Sequence, residues 1–274
     1  MTENATTKPK GRKKFAFRLS RRAFSYPYIL FLMIFVVVPL VLILVNAFIY
    51  EGGFSLKNFA DFFNIETSSG LDVLWKSIVI GLITTAICLI IGYPLAYILS
   101  KMKAGKLLIL FFVLPMWINF LIRTLATKAI FESIGIPLGM GTVIFGMVYN
   151  YLPFMILPLY NSISSIDKSY SEAALDLGAD KMTVIVKTIL PLSFPGILSG
   201  ITMVFIPAIS TFAITEILSD RQIYLFGDSI QNMFSQNMYG VGSVMSLVML
   251  VLVLISNFIL NRFGAKDESG SVVL

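Results

Sequence analysis

No histidine occurs anywhere in the 274 residues, and there is one cysteine, Cys88. The first absence removes the ordinary neutral-pH general base, the His-paired Ser or Cys nucleophile and the imidazole metal ligand. The second rules out an internal disulfide and a thiolate metal cage, so Cys88, inside an apolar run, reads as a small buried hydrophobe. No G-x-x-x-x-G-K-[ST] run is present either, so the chain has no P-loop for ATP. It is expected not to be an enzyme and to bind no cofactor of its own. Charge is scarce at 13% of residues, while 57% are hydrophobic and the mean hydropathy is +0.86. A soluble fold of this length lacks the polar surface to cover so much apolar side chain. The predicted class is an all-α integral membrane protein, with membrane lipid and other protein chains, not nucleic acid, as partners.

Uncharged runs cover 23–50, 77–100, 107–122, 133–166, 188–215 and 229–261. A hydrocarbon core of about 30 Å needs ~20 apolar residues in a helix, which five of the six runs supply. The third, ended by Arg123, is short. It must continue past that guanidinium, which then snorkels or faces protein, or lie partly outside the bilayer. Six transmembrane helices follow. A six-span threading from a basic N-terminal tail over residues 1–25 puts sixteen of the 21 basic residues inside and five outside, which predicts both termini in the cytoplasm. Residues 26–50 are then the first transmembrane helix, and 263–274 form a second cytoplasmic tail. The outer face is left net negative by residues such as Glu132, Glu216 and Asp228. That suits either a cationic solute or simple solvation of the loops.

One charged stretch, 164–192, interrupts the apolar pattern. Ser169 and Glu172 have the spacing of a capping box, Gly178 can end a helix at positive φ, and Asp180 can cap a second one. Met182, Ile185, Val186 and Ile189 then form an apolar stripe, and Pro191 stops the helix. The product is two short helices about a glycine corner. Such helices are marginal alone in water, so they pack on a partner or lie on the headgroups; local physics leaves both open.

Glu172, Ala173, Ala174, Gly178, Leu190 and Pro191 resemble the EAA loop of permease subunits of bacterial ATP-binding-cassette importers, with Thr188 standing where that family usually has isoleucine. The resemblance implies a type-1 importer permease fold (MetI-like) over 70–262, including 164–192 as a cytoplasmic coupling loop. It also implies a location in the bacterial inner membrane and an ATPase dimer that grips the loop and holds the ATP and magnesium. Leu114–Thr124, Val148–Tyr160 and Ile206–Phe212 are similar to the B-type permease of spermidine/putrescine importers. A second, C-type permease and an extracytoplasmic binding protein are implied with them. Leu218-Ser-Asp-Arg221 departs from a corner that is Gly-rich in relatives.

Candidate pathway residues are Trp117, Tyr149, Thr211, Thr215 and Glu216. Aromatic faces and a carboxylate are the chemistry that holds an ammonium group. Pro207 should kink its helix, and Ser210, Thr211 and Thr215 can satisfy the freed backbone. The same loop also serves importers of ferric iron or other small solutes. A secondary transporter or channel is the alternative of another class, although no obvious internal repeat or mid-bilayer ionisable network supports it.

Overall fold

The computed structural model describes residues 25–64 and 70–268, and nearly all regular structure among them is helical. Most of the basic tail, Glu66 and the last six residues lie outside the described set. By its contacts the chain divides into two units at Leu42–Ile43.

The first helix, α1, runs Tyr26–Phe48, and its 23 residues exceed the ~30 Å a span requires. Over residues 26–42 it carries apolar side chains on every face. Met33–Val37 is a π-turn that ends two residues before Pro39. Proline has no N–H and its ring crowds the preceding turn, so the ladder widens there. A tight hairpin follows, β1 (Ile49–Tyr50) and β2 (Gly53–Phe54), with Glu51 and Gly52 at φ 48° and 80° as its primed turn requires. In α2 (Lys57–Phe63), the buried Asn58 donates through Nδ2 to the carbonyls of Ala47 (3.1 Å) and Ile49 (2.9 Å), acceptors left open where α1 ends.

At the centre of the larger unit, α3 (Gly70–Lys101), α6 (Met140–Ser165) and α9 (Phe194–Ser210) pack on one another. Small residues set their distance of approach. A Cβ on Gly196 would stand 2.3 Å from Ser162 Cβ and 3.0 Å from the Pro158 carbonyl, so α6 and α9 meet backbone to backbone. Around this trio lie α4 (Gly105–Trp117), α5 (Phe120–Ser133), α7 (Lys168–Asp176), α8 (Lys181–Leu192), α10 (Ala213–Leu218), α11 (Phe226–Ser235) and α12 (Tyr239–Glu268).

Among the described residues, four helices are long and apolar enough to cross a membrane: α1, α3, α6 and Tyr239–Leu260 of α12. The number is six when each of two bent pairs counts as one span: α4 with α5, bent by 90°, and α8 with α9, bent by 67°. The third uncharged run is therefore short because its helix breaks at Ile118–Asn119, before Arg123. The sixth run is not one helix, since Asn237 at φ 60° separates amphipathic α11 from α12. Pro207 does not unwind its own turn. The helix passes through it to Ser210 and opens at Thr211, where ψ reaches 148°.

Because neither Ser162 Cβ nor the Pro158 carbonyl can rotate away, Gly196→Val is expected to force α6 and α9 apart. Overpacking of this kind costs about 1–3 kcal/mol. A fall of about 5 °C in thermal unfolding in detergent, with reduced yield from membranes, is the expected result.

Candidate functional site

Both helix breaks near the middle of the fold line one cavity of about 630 Å³. On one side, Pro115 starts a 3₁₀ turn at Leu114–Trp117, Ile118 extends, and Asn119 caps α5 by accepting the Leu121 N–H at 2.8 Å. On the other, Thr211 and Phe212 leave helical geometry between α9 and α10. The Pro207 carbonyl is one of the last four of α9, which lack a backbone partner within the helix. It accepts the Tyr151 hydroxyl from α6 at 3.3 Å and the Ser210 hydroxyl at 3.4 Å. Asn150, Tyr151 and Phe154 complete the wall, together with Arg123.

Arg123 is only 8% exposed, with the Tyr149 ring 5.7 Å from its guanidinium carbon. Neither its Nε nor its Nη1 finds an acceptor. Buried Asn150 donates to the Gly146 carbonyl at 2.8 Å, while its Oδ1 receives nothing. Trp117 is 84% exposed at the cavity rim, and Thr211 is buried in its wall. The cavity thus combines irregular backbone, one cation, an amide and aromatic rings.

A second cavity, about 240 Å³, is lined by Glu216, Arg221, Tyr224, Asp228, Gln231, Asn232 and Ser235. Glu216 pairs with Arg221 at 2.9 Å. Asp228 is buried and accepts the Thr215 hydroxyl at 2.6 Å and the Leu225 N–H at 2.7 Å, so it caps α11 while gripping α10. Burial pushes its carboxyl up to about 6, and the Thr215 and Leu225 hydrogen bonds oppose the rise. The five pathway candidates therefore separate. Trp117 and Thr211 border the larger cavity along with Pro207, Tyr149 backs Arg123, and Glu216 belongs to the smaller cavity. Thr215 lies fully buried between the two, committed to Asp228. Asn150 and Asp228 were not among the candidates. An amide inside an uncharged run was the available signal for the first, although Asn161 shares that run; nothing local marks the second, whose role depends on contact with α10.

The charged corner adopts the two-helix geometry, with changes. Asp167, not Ser169, caps α7 by accepting the Ser169 N–H at 2.9 Å. Gly178 sits at φ 85°, and Asp180 caps α8 through the Met182 N–H at 3.3 Å and a bond from the Thr183 hydroxyl. These hydrogen bonds hold both carboxyls below the ordinary carboxylate range. The apolar stripe is displaced. Val184 and Ile189 are buried and Met182 and Val186 exposed, because a π-turn at Ile185–Ile189 shifts the register ahead of Pro191. The bend into α9 then falls at Ser193, whose hydroxyl meets the Tyr93 hydroxyl at 3.0 Å. Glu172, Ala173 and Leu190 are exposed and Ala174 is half-buried; Leu177 protrudes at 89% exposure.

Residues 13–266 match the model of binding-protein-dependent transport system inner membrane components. The chain belongs to that family. It is a multi-pass membrane permease component. Among its relatives, the spermidine/putrescine transport system permease protein PotB of Haemophilus influenzae is 35% identical, the match covering 84% of this chain and 89% of that one. PotB of Escherichia coli K12 is 33% identical over 74% of this chain and 82% of its own length. The permease fold also appears in a bacterial ABC transporter involved in alginate import (17% identity, TM-score 0.60, covering 88% of this chain and 94% of that one). The MetNI methionine transporter is similar too (17% identity, TM-score 0.57, 72% and 94%).

The raised value for Asp228 has a definite sign. Between about 3.8 and about 6 the folded state holds a proton that the unfolded state has lost, so unfolding free energy should fall as pH rises through that window and level off above it. Asp228→Asn is expected to remove this part of the slope, measured by thermal unfolding in detergent from pH 4 to 7.

Proposed function

We propose that this chain is the membrane-spanning permease subunit of an ATP-driven importer whose cargo is a polyamine such as spermidine or putrescine. The observation that carries the cargo is the 35% identity to a spermidine/putrescine permease over most of both chains. The smaller cavity has compatible chemistry, with carboxylates of Glu216 and Asp228 beside the Tyr224 ring. In this reading an extracytoplasmic binding protein delivers the cation, and a second, C-type permease completes the pathway. Both termini face the cytoplasm of a bacterial cell, and the site residues keep the roles their positions suggest.

The α7–α8 corner is the dock for an ATPase dimer that binds ATP and magnesium on its own chains. Its support is an exposed apolar set, Leu175, Leu177, Met182 and Val186, on a charged segment between spans. Apolar patches on a rigid, capped corner gain by being covered. Coupling is then mechanical: the ATPase pair closes, the corner moves, and α8 transmits the motion to α9 through the Ser193 bend.

In the reconstituted importer, Leu177→Asp is expected to leave membrane insertion unchanged. It should weaken co-purification of the ATPase and lower binding-protein-stimulated ATP hydrolysis about tenfold. A Cβ at Gly178 would meet nothing within 4 Å, so Gly178→Ala acts through its left-handed φ alone. That strain is roughly 1–2 kcal/mol, and a milder coupling defect is expected. Glu216→Gln should slow spermidine uptake severalfold at unchanged abundance; wild-type uptake would remove Glu216 from the pathway.

A further inference from the structure

Arg123 is a cation held in a wall of the larger cavity with two guanidinium nitrogens unanswered. A charge so placed is strongly disfavoured unless an opposite charge meets it. The carboxylates on the elements around it are otherwise engaged. Asp220 and Glu132 pair with Lys128, at 3.3 and 3.8 Å. Glu216 pairs with Arg221, and Asp228 accepts from Thr215 and Leu225. The Tyr149 face offers a weak interaction and no hydrogen-bond acceptor for the fork.

The cavity also does not suit lipid. Two stretches of non-helical backbone line it, and such backbone is tolerated at membrane depth only against protein or in a water-filled space. Trp117, Ile118, Phe120 and Phe212 are nonetheless exposed along its open side. An apolar rim around a polar cavity bearing one unpaired cation fits an opposing protein surface that carries a carboxylate. An Arg guanidinium takes a carboxylate through two parallel bonds along its Nη1–Nη2 or its Nε–Nη2 edge, and each of those edges holds one of the two unanswered nitrogens.

We infer that Arg123 is the receptor for one carboxylate presented from outside this chain, and that the second membrane subunit supplies it. The source rests on the polyamine reading above, because spermidine and putrescine carry no carboxylate of their own.

The test uses the complete importer in proteoliposomes, with radiolabelled spermidine uptake and binding-protein-stimulated ATP hydrolysis read in parallel. Arg123→Gln is expected to lower uptake tenfold or more while the ATPase still co-purifies, and Arg123→Lys to retain at least a third of wild-type uptake. Arg123→Glu is then combined with Lys substitution of each acidic residue in the membrane segments of the second subunit, one at a time. Recovery to within threefold of wild type by one such reversal is the expected result. Assembled complexes in which no reversal restores either readout overturn the inference, as does wild-type uptake by Arg123→Gln. An importer that moves no polyamine but takes up a carboxylate-bearing solute in an Arg123-dependent manner overturns both the cargo and the assigned source. Absence of polyamine uptake with ATP hydrolysis restored by one reversal overturns the cargo alone and supports the carboxylate partner.

Discussion

Backbone groups in hydrocarbon must find their hydrogen bonds within the protein, and the rest of this structure follows from that demand. It makes the spans helical, and it dictates where they are permitted to break. Two helix breaks, Ile118–Asn119 and Thr211–Phe212, lie around the same cavity, where Asn119 caps one freed end and Tyr151 reaches a freed carbonyl at the other. Broken helices are therefore gathered at a shared interior space. Elsewhere a π-turn before Pro39 absorbs the strain of proline without a break, while the π-turn before Pro191 is followed by the 67° bend at Ser193.

The charged groups follow the same economy. Asp228 is buried, but it does two structural jobs by accepting from the α11 N-terminus and from Thr215 on α10. Glu216, one residue beyond Thr215, is tied to Arg221 instead. The short helix α10 thus separates the two cavities, with one neighbour facing each way. Arg123 is a buried cation whose Nε and Nη1 find no acceptor, in the wall formed by the helix breaks.

The corner at 164–192 answers a different requirement, rigidity without a large core. Two Asp caps, a glycine at positive φ and the buried pair Val184 and Ile189 hold short helices that would be marginal alone. Its exposed apolar residues are left for another surface. The Tyr93–Ser193 contact joins α3 to the bend where the corner meets α9, so a displacement of the corner is felt in the central trio.

By itself the sequence determined the membrane setting, the helical class and the family-bearing corner with Gly178 and Asp180. These depend on composition, on hydropathy over twenty-residue runs and on local capping, all carried by neighbours in the chain. It misplaced some local details of the corner as well as features that depend on contact between distant residues. The α7 cap moved to Asp167, and the α8 stripe rotated at a π-turn. The helix expected to kink at Pro207 runs on to Ser210 and opens at Thr211, and the Pro207 carbonyl accepts the hydroxyl of Tyr151 from another helix. Only the tertiary structure divided the pathway candidates between two cavities, committed Thr215 to Asp228 and left Arg123 without an acceptor. Whether a polar side chain is free or spent depends on what lies within 3 Å of it, and in this fold those atoms come from helices dozens of residues away.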